Sequence, residues 1–471
     1  YMFKKSAFAL AMCASVILTG CGSDDDEVVA APVVTAAPNV IFFLGDGMGM
    51  TSLTAARIYK VGEDGELTID TLPETAFVKT FSLDAQVTDS APSMAAYMTG
   101  VKMNNEVISM SDDTKAFNGS TPYVSGSDST CPSTGNGTSV STLLEIAKAA
   151  GKSVGAVTTT RVTHATPAAT FAHICNRDAE NDIAAQAVPN NAKYNSALGT
   201  GLDVLLGGGW RHFVPTASGG KRTDGANLID DMKAQGYTYV SKGSELKNVD
   251  VTGTTKLLGL FNKDHMNYDL DRVKNNVDEP SLAMMTEKAI KMLAKNTDKG
   301  YFLMVEGGRI DHALHGTNAK RALQDALAFD DAIAKALSMV DLKNTLVVVT
   351  ADHDHTMTMN GYSHRGNDIL GNTTKYQDKS LARDVNGKPY TTLVFGNGGG
   401  ARQAVREGTN LIDTKADDYL QEVGVKLGSA GSETHGGGDV MLFSGGVGNS
   451  NFKGTLDNTK VFNLVKTAMG L

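Results

Sequence analysis

Four short apolar runs most constrain how this chain can fold. They are rich in β-branched residues and bounded by turn-forming residues, and they span residues 40–44, 154–157, 302–305 and 346–349. Such runs are typical of strands buried on both faces. Helical patterns separate them, at residues 141–150, 281–295 and 321–337. The alternation predicts an α/β fold, a three-layer sandwich whose central, mostly parallel sheet is covered by helices on both faces.

Polar side chains follow these runs directly and predict a functional site. Asp46, Glu306 and the Asp352-His353 pair each come at the end of an apolar run. In parallel α/β sheets, ligands bind beyond the carboxyl ends of the strands. We therefore expect these acids and histidines to lie close together.

The first 38 residues differ from the rest of the chain. Two lysines and an uncharged apolar run at residues 6–18 predict a secretion signal over residues 1–20. The run is shorter than the ~20 residues that span a bilayer. Leu18-Thr19-Gly20-Cys21 resembles a bacterial lipobox, in which Cys21 carries lipid; the alternative is simple cleavage that leaves a free Cys21. Residues 21–38 show no period and predict a flexible tether.

The remaining residues, 39–471, predict one catalytic domain. They contain no second linker of comparable length and no internal repeat. A stretch rich in glycine and asparagine, at about residues 356–432, predicts an inserted, crown-like subdomain beside the site. We expect the chain to be exported, to the periplasm or cell envelope, and to be held at the membrane through lipid on Cys21 if the lipobox is used.

Net charge excludes one class of partner. The chain has 43 basic and 52 acidic residues, and loss of the signal removes two lysines and no acid, so −9 becomes −11. Nucleic acid binding through bulk charge is therefore excluded. An acidic surface also repels phosphate esters at long range, so capture of such a substrate would depend on local cations in a pocket.

Two cysteines remain once Cys13 is lost with the signal and Cys21 is assigned to lipid. In an exported protein, Cys131 and Cys175 are expected to form one disulfide. The alternative is a pair of buried free thiols.

Ser90, in the segment 87–93, is the candidate nucleophile. A serine hydroxyl attacks readily at neutral pH only when a base or a coordinated cation activates it. Several side chains of metal-ligand type make activation by a cation the better explanation. They are Asp46, Glu306, Asp311, His315, Asp352, His353 and His435. Asp311 and His315 would share one face of a helix and could grip one ion. Three protein ligands with an open position are common in catalytic zinc sites.

Arg177 is the candidate substrate-binding residue. Its planar guanidinium can donate to two phosphoryl oxygens together, which a lysine cannot do. Taken singly, each motif has a plainer interpretation. Gly45-Asp46-Gly47 could be an ordinary turn, residues 353–355 a surface loop rich in histidine, His435 a structural histidine, and Arg177 part of a surface salt bridge.

Together these segments resemble the alkaline phosphatases, in order, from Asn39 to Leu471. The resemblance is carried by Asp46, Asp89-Ser90-Ala91, His164-Ala165-Thr166-Pro167-Ala168, Arg177, Glu306 to His315, Thr350-Ala351-Asp352-His353 and Thr434-His435-Gly436. Residues 307–312 and the inserted stretch look closer to the animal and marine-bacterial branch than to the enterobacterial one. The family resemblance implies hydrolysis of small phosphate monoesters through a phosphoserine at Ser90, and a homodimer.

The resemblance also implies two zinc ions and one magnesium ion. Asp311, His315 and His435 would hold the first zinc, and Asp46, Asp352 and His353 the second. Asp46, Thr166 and Glu306 would hold magnesium, with His164 and His312 just outside the ligand shell.

Some features of the chain depart from the family pattern. Some relatives have an acid at His164 and a lysine at His312, so the magnesium surroundings differ here. Asn262 follows Phe261 where animal members carry a calcium-binding glutamate, so no calcium site is predicted.

The rival functions are those of a sulfatase, a phosphodiesterase and a lipoprotein without catalytic activity. Sulfatases need an arginine where this chain has Met94, and phosphodiesterases gain little from Arg177. A lipoprotein that binds metal or phosphate without turnover has no use for Ser90.

Overall fold

The apolar runs form adjacent strands at the centre of a ten-stranded sheet. The computed structural model describes residues 39–399 and 412–471. In those residues the strands are β1 (Asn39–Gly45), β2 (Glu74–Lys79), β3 (Phe117–Asn118), β4 (Thr121–Pro122), β5 (Val124–Ser125), β6 (Asp128–Ser129), β7 (Ser153–Arg161), β8 (Val204–Gly208), β9 (Tyr237–Val240), β10 (Lys256–Leu260), β11 (Tyr301–Gly307), β12 (Thr345–Thr350), β13 (Asp354–His355), β14 (Met357–Met359), β15 (Leu393–Gly398), β16 (Val423–Lys426), β17 (His435–Gly436), β18 (Val440–Gly446) and β19 (Gly454–Asp457).

Along the chain, most of the helices come between strands of the large sheet. In the described part of the chain they are α1 (Met50–Val61), α2 (Ser90–Thr99), α3 (Leu143–Ala149), α4 (Ala165–Phe171), α5 (Glu180–Gln186), α6 (Leu228–Ala234), α7 (Gly243–Lys247), α8 (Asp269–Lys274), α9 (Leu282–Leu293), α10 (Arg309–His315), α11 (Ala319–Leu337) and α12 (Asn458–Ala468). Short 3₁₀ turns connect some of them.

The large sheet is mostly parallel, as the sequence predicts. Its strand order is β19-β2-β18-β12-β1-β11-β7-β8-β10-β9. All neighbouring pairs from β12 to β9 are parallel. β18 pairs antiparallel with both of its neighbours, and β19 pairs parallel with β2, so β18 alone in this sheet runs in the opposite direction.

Helices cover both faces of the central strands. Every residue of β11 and β12 is buried, and so is every residue of β1 after Asn39. Because successive side chains on a strand point to opposite faces, complete burial requires cover on both sides. The α/β fold predicted from the apolar runs is therefore confirmed.

Local sequence signals explain where the predicted helices begin. Thr142 forms a capping box with Glu145 at the start of α3, and Ser281 caps α9 by accepting from Met284 N. Asn318 caps α11 in the same way, by accepting from Arg321 N. Each side-chain oxygen satisfies a backbone N–H that the first turn of a helix leaves free. The predicted helices at residues 141–150, 281–295 and 321–337 are present with shifts of two residues or fewer at either end.

The remaining predictions about chain organisation fall partly outside the described residues. The secretion signal, Cys21 and the tether all lie in residues 1–38, outside the described residues. The boundaries of the inserted subdomain stay a prediction; within it, β14, β15 and β16 form a three-stranded sheet separate from the large one. No helix in the two described ranges combines the length and apolar character that a bilayer crossing requires.

Cys131 and Cys175 are joined in a disulfide, so neither is a free thiol. The bond links the loop after β6 to the segment that carries Arg177. Nearby, Asp182 accepts a hydrogen bond from Ser129 N at 2.6 Å and connects α5 to the end of β6. The cross-link therefore restrains the chain immediately beside the candidate substrate-binding arginine.

Replacing Cys131 and Cys175 together by serine should lower the free energy of unfolding. The two cysteines are 44 residues apart; for a loop of this length, lost closure entropy predicts about 4 kcal/mol. Guanidinium unfolding with and without reductant measures the change. The double variant should not respond to reductant, and a wild type that is equally stable in reductant would contradict the expectation.

Candidate metal centre and nucleophile

Three carboxylates lie at the carboxyl ends of neighbouring central strands. Asp46 directly follows β1, Glu306 is the next-to-last residue of β11, and Asp352 lies just beyond β12. β1 pairs with β11 on one side and with β12 on the other. The register of the sheet therefore brings the three carboxylates to one edge, where all are fully buried.

Asp311 is the point on which three imidazole rings converge. His315 lies one turn later in α10, and its Nε2 is 3.2 Å from Asp311 Oδ1. His355 Nε2 and His435 Nε2 lie 2.8 Å and 3.5 Å from the same oxygen. The antiparallel pairing of β13 with β17 sets His355 opposite His435. The trio predicted for the first zinc, Asp311, His315 and His435, is thus brought together.

Asp46, Asp352 and His353 form an adjoining group. One potential ligand atom from each lies within 4.8 Å of the others. His353 Nε2 is 3.3 Å from Asp46 Oδ1 and 3.4 Å from Asp352 Oδ2. The ring of His353 stacks on that of His435 with centroids 3.5 Å apart. The two predicted zinc trios therefore share a boundary.

Ser90 faces this second group. Its Oγ is 3.1 Å from His353 Nε2 and 3.4 Å from Asp46 Oδ1. The helix that carries it is fixed to the end of β12, because Ser93 Oγ donates to Asp352 O at 2.7 Å and Tyr97 Oη donates to Ala351 O at 2.9 Å. The geometry places a serine hydroxyl among side chains suited to bind a cation.

The buried negative charge of the site favours the binding of cations. Burial, reinforced by Asp352 and other nearby carboxylates, raises the pKa of Asp46 well above its ordinary value. Burial also raises the pKa of Glu306, to about 7. Burial acts in the same sense on Asp311, but its bonds and charge contacts with His315 and the other histidines hold the pKa of this carboxyl well below its usual range. Several buried carboxylates at close range can stay ionised only with compensating positive charge.

Unpaired oxygens show that the residues fit metal ions. Asp46 Oδ2, Asp352 Oδ2 and Glu306 Oε1 are buried and accept no hydrogen bond from any described residue. Thr166 Oγ1 is also buried without a well-shaped hydrogen bond, although Thr166 lies close enough to Glu306 to lower its pKa. Oxygen ligands of this kind suit magnesium, and mixed carboxylate and imidazole ligands suit zinc.

His164 and His312 lie at the border of the site. A nitrogen of His164 lies within 4.8 Å of carboxylate oxygens of Asp46 and Glu306. Burial lowers the pKa of His164 well below its ordinary value and that of His312 to about 3. The position of His164 and His312 just outside the magnesium ligand shell stays a prediction. The ligand roles of the other residues of the site are also predictions.

Arg177 is paired with Asp89, the residue before Ser90, and is largely buried. Its Nη1 pairs with Asp89 Oδ1, and its Nη2 is 2.8 Å from His164 Nε2. Asp89 precedes Ser90 and caps its helix by accepting from Ala91 N. Glu106 closes the arrangement, because its N–H donates to Asp89 Oδ2 and its carbonyl accepts from Arg177 N. The salt bridge is therefore not a surface one, and it ties Arg177 to the residue that precedes Ser90.

Sequence reasoning missed two residues of the Asp311 group. His355 was weighed only as part of a surface loop, yet it is 2% exposed. Its Nδ1 is 2.6 Å from Glu433 Oε2, a buried acid that also accepts from Thr356 N. Glu433 directly precedes the Thr434-His435 motif, and that adjacency is the one signal in the sequence that could have singled it out. The pairing of β13 with β17 that buries His355 cannot be read from the local sequence.

Buried carboxylates, imidazoles and a serine at the carboxyl edge of an α/β sheet define a metal-dependent hydrolase. The alkaline phosphatase family profile matches residues 37–471. The human tissue-nonspecific alkaline phosphatase is 40% identical over 440 residues, covering 87% of this chain and 79% of that protein. An alkaline phosphatase from Gadus morhua is 38% identical, covering 87% of each chain.

A solved structure shows the same fold. The alkaline phosphatase of Thermus thermophilus superposes with a TM-score of 0.69 at 28% identity, covering 93% of this chain and 92% of the other. The chain belongs to the alkaline phosphatase family and is a metal-dependent phosphomonoesterase. The resemblance drawn from the sequence is confirmed.

Stripping bound metal should make stability depend on pH. The pKa of Glu306 is raised in the folded state, so protonation of this carboxyl stabilises the fold. The stabilisation is fully present below the unfolded-state pKa and is lost as pH rises through the folded-state pKa. Between about pH 4.5 and 7 the chelator-treated protein should lose up to about 3 kcal/mol of unfolding free energy. Denaturant unfolding across this range measures it. The metal-loaded protein, whose cations replace the proton, should show no such loss, and equal slopes for both forms would refute the explanation.

Proposed function

We propose that the enzyme hydrolyses phosphate monoesters through a phosphoserine at Ser90, with two zinc ions and one magnesium ion. Asp311, His315 and His435 would hold one zinc, and Asp46, Asp352 and His353 the other. Asp46, Thr166 and Glu306 would hold magnesium. The observation that carries the proposal is the position of Ser90 Oγ, 3.1 Å from His353 Nε2 and 3.4 Å from Asp46 Oδ1.

The bound cations supply Lewis acidity, which lowers the pKa of a neighbouring hydroxyl and offsets charge on phosphoryl oxygens. Ser90 Oγ, having lost its proton, attacks phosphorus, and the Oγ–P bond forms as the bond to the alcohol oxygen breaks. The alcohol takes up a proton as it leaves. Water then attacks the phosphoserine, which releases inorganic phosphate and restores the Ser90 hydroxyl.

Arg177 holds the phosphoryl group during both displacements. Each of its Nη atoms carries two hydrogens, so the contacts with Asp89 and His164 leave one hydrogen on each for a phosphoryl oxygen. Asp89 fixes the plane of the guanidinium because it also accepts from Glu106 N. The two donors are thus oriented before the substrate binds, which lowers the entropy cost of the reaction.

Replacing Ser90 by alanine should abolish turnover of phosphate monoesters, because no other described hydroxyl approaches both Asp46 and His353. Activity on 4-nitrophenyl phosphate, with and without chelator, measures this. Mass spectrometry after acid quenching should find one phosphoryl group on the peptide that contains residue 90. Thr99→Ala is a matched control, since its hydroxyl lies in the same helix and bonds only to Ala95 O and Val101 N. Equal rates for wild type and Ser90→Ala would exclude the serine mechanism.

The same assay separates the rival activities. A sulfatase or a phosphodiesterase on this fold would prefer a sulfate ester or a phosphodiester to the monoester. A lipoprotein that only binds metal or phosphate would turn over none of the three. Preference for the monoester is the expected result.

We propose further that the chain is exported to the periplasm or cell envelope, anchored by lipid on Cys21, and that it forms a homodimer. The sequence motif at residues 18–21 and the family resemblance support these proposals. Cys21→Ser should release the protein from the membrane fraction and abolish fatty-acid labelling. A lipid-labelled variant would contradict the anchor, and a single-subunit mass in solution would contradict the dimer.

A further inference from the structure

We propose that a cluster of histidine and arginine side chains beside Arg177 binds a second anionic group of the substrate. The histidine–arginine cluster comprises His164, His265, His312, Arg161 and Arg309. The preferred esters would then be those whose alcohol carries a phosphate or carboxylate of its own. The inference rests on the phosphomonoesterase function proposed above and adds a substrate class to it.

The cluster is a continuous layer that begins at the phosphate-binding arginine. Arg177 Nη2 is 2.8 Å from His164 Nε2. The ring centroid of His164 lies 5.2 Å from that of His265 and 5.4 Å from that of His312. The ring centroids of His265 and His312 are 4.2 Å apart. The side chains of His312 and His265 are 20% and 15% exposed. A group bound at Arg177 can therefore extend over these rings without entering the core.

Arg309 is the cation in this layer whose charge has no partner. Its Nη1 contacts His312 Nδ1 at 3.1 Å and its guanidinium lies 3.8 Å from the ring of Tyr268. Among the described residues it forms no ion pair with a carboxylate, and its Nε is buried without an acceptor. Arg161, by contrast, pairs with Glu180 and Asp264 at 2.7 Å each.

One buried acid acts on the charge of Arg309 from a longer distance. Asp325 is fully enclosed, and burial raises its pKa to about 8 although Arg309 acts to lower it. Burial thus opposes ionisation of Asp325. The positive charge of Arg309 stays available to a ligand.

The hydrogen atoms on His312 also favour an anion. A guanidinium only donates, so the contact with Arg309 Nη1 requires a lone pair on His312 Nδ1. The hydrogen of this neutral ring is then on Nε2. Asp311 Oδ2, 4.0 Å from Nε2, is beyond hydrogen-bonding distance. His312 therefore presents an N–H that an oxyanion could accept.

His265 has a conflict that an acceptor would relieve. Its Nδ1 is 3.3 Å from the N–H of Arg161, and its Nε2 is in close contact with Arg161 Nη1, another donor. A neutral imidazole has one lone pair, so whichever ring nitrogen carries the hydrogen, one N–H faces another N–H. An oxygen of a bound anion could accept from both donors at once.

The three histidines could instead be read as a metal site, since a nitrogen from each lies within 4.8 Å of the others. The surrounding charge argues against it. After burial, the largest causes that lower the pKa of His265 are His312, Arg161, His164 and Arg309. The carboxylate of Asp264, 3.9 Å from His265 Nε2, is itself paired with Arg161. A divalent cation would be repelled where an anion is attracted.

The position of the cluster matches the direction in which the alcohol leaves. In an in-line displacement the leaving group departs on the side opposite the nucleophile. Ser90 contacts the Asp46–His353 group, whereas His312 directly follows Asp311, which belongs to the other trio. The alcohol would then leave on the side of the Asp311 trio, and His312 Nε2 lies 4.0 Å from Asp311 Oδ2.

The test compares kcat/KM of the metal-loaded, full-length enzyme on three esters. Glycerol 1-phosphate has a neutral alcohol, 3-phosphoglycerate adds a carboxylate, and propane-1,3-diol bisphosphate adds a phosphate. At low salt the wild type should favour the last two by about tenfold, the effect of one charge-assisted contact. Arg309→Gln should remove this preference and leave glycerol 1-phosphate within about twofold. Comparing the carboxylate with the phosphate shows which oxyanion the cluster prefers.

Arg321→Gln is the matched control. Arg321 approaches the same Tyr268 ring, at 5.3 Å, but is paired with Asp271, so its loss should leave the preference intact. Arg309→Lys, which keeps the charge, should retain part of it. Equal losses on all three esters in Arg309→Gln, or a wild type without preference, would overturn the inference. An enzyme inactive on all three would instead contradict the proposed function.

Elemental analysis of His265→Ala separates the anion site from a metal site. The variant should hold as many metal ions per chain as the wild type. Loss of one ion would overturn the inference and assign the cluster to a cation.

Discussion

The structure depends on one electrostatic constraint, the burial of several carboxylates at one edge of a sheet. Asp46, Glu306 and Asp352 come from neighbouring strands, and Asp311 joins them from α10. Burial and mutual repulsion raise the pKa of Asp46 well above its ordinary value, and three carboxylate oxygens in the group have no donor among the described residues. Divalent cations would resolve both problems, and in the proposed mechanism the same cations make the Ser90 hydroxyl reactive.

The surrounding fold serves to hold the ligands in place around those cations. Ser93 and Tyr97 fix the helix that begins at Ser90 to the backbone at the end of β12. The short pairing of β13 with β17 delivers His355 and His435 to Asp311, and Glu433 holds the far nitrogen of His355. Ligands that are themselves hydrogen-bonded keep their orientation, which is how a second layer of residues tunes a metal site.

Much of this arrangement could be predicted from the sequence, for identifiable reasons. Apolar runs that end in acids fix both the strands and the edge at which the acids meet, because parallel strands share one carboxyl edge. Asp311 and His315 could be paired because helical spacing alone brings them together. His355 and His265 could not, since each depends on contacts between segments far apart in the chain: His355 lies opposite His435, and His265 lies against Arg161. Their neighbours in sequence carry no sign of either contact.

The most direct test of the account is a crystal structure of the zinc-loaded enzyme with anomalous scattering recorded at the zinc edge. The account predicts two anomalous peaks beside Ser90, one within reach of Asp46, Asp352 and His353 and the other within reach of Asp311, His315 and His435. Absence of a peak between Ser90 and the Asp46–His353 group, in crystals of active enzyme, would contradict it.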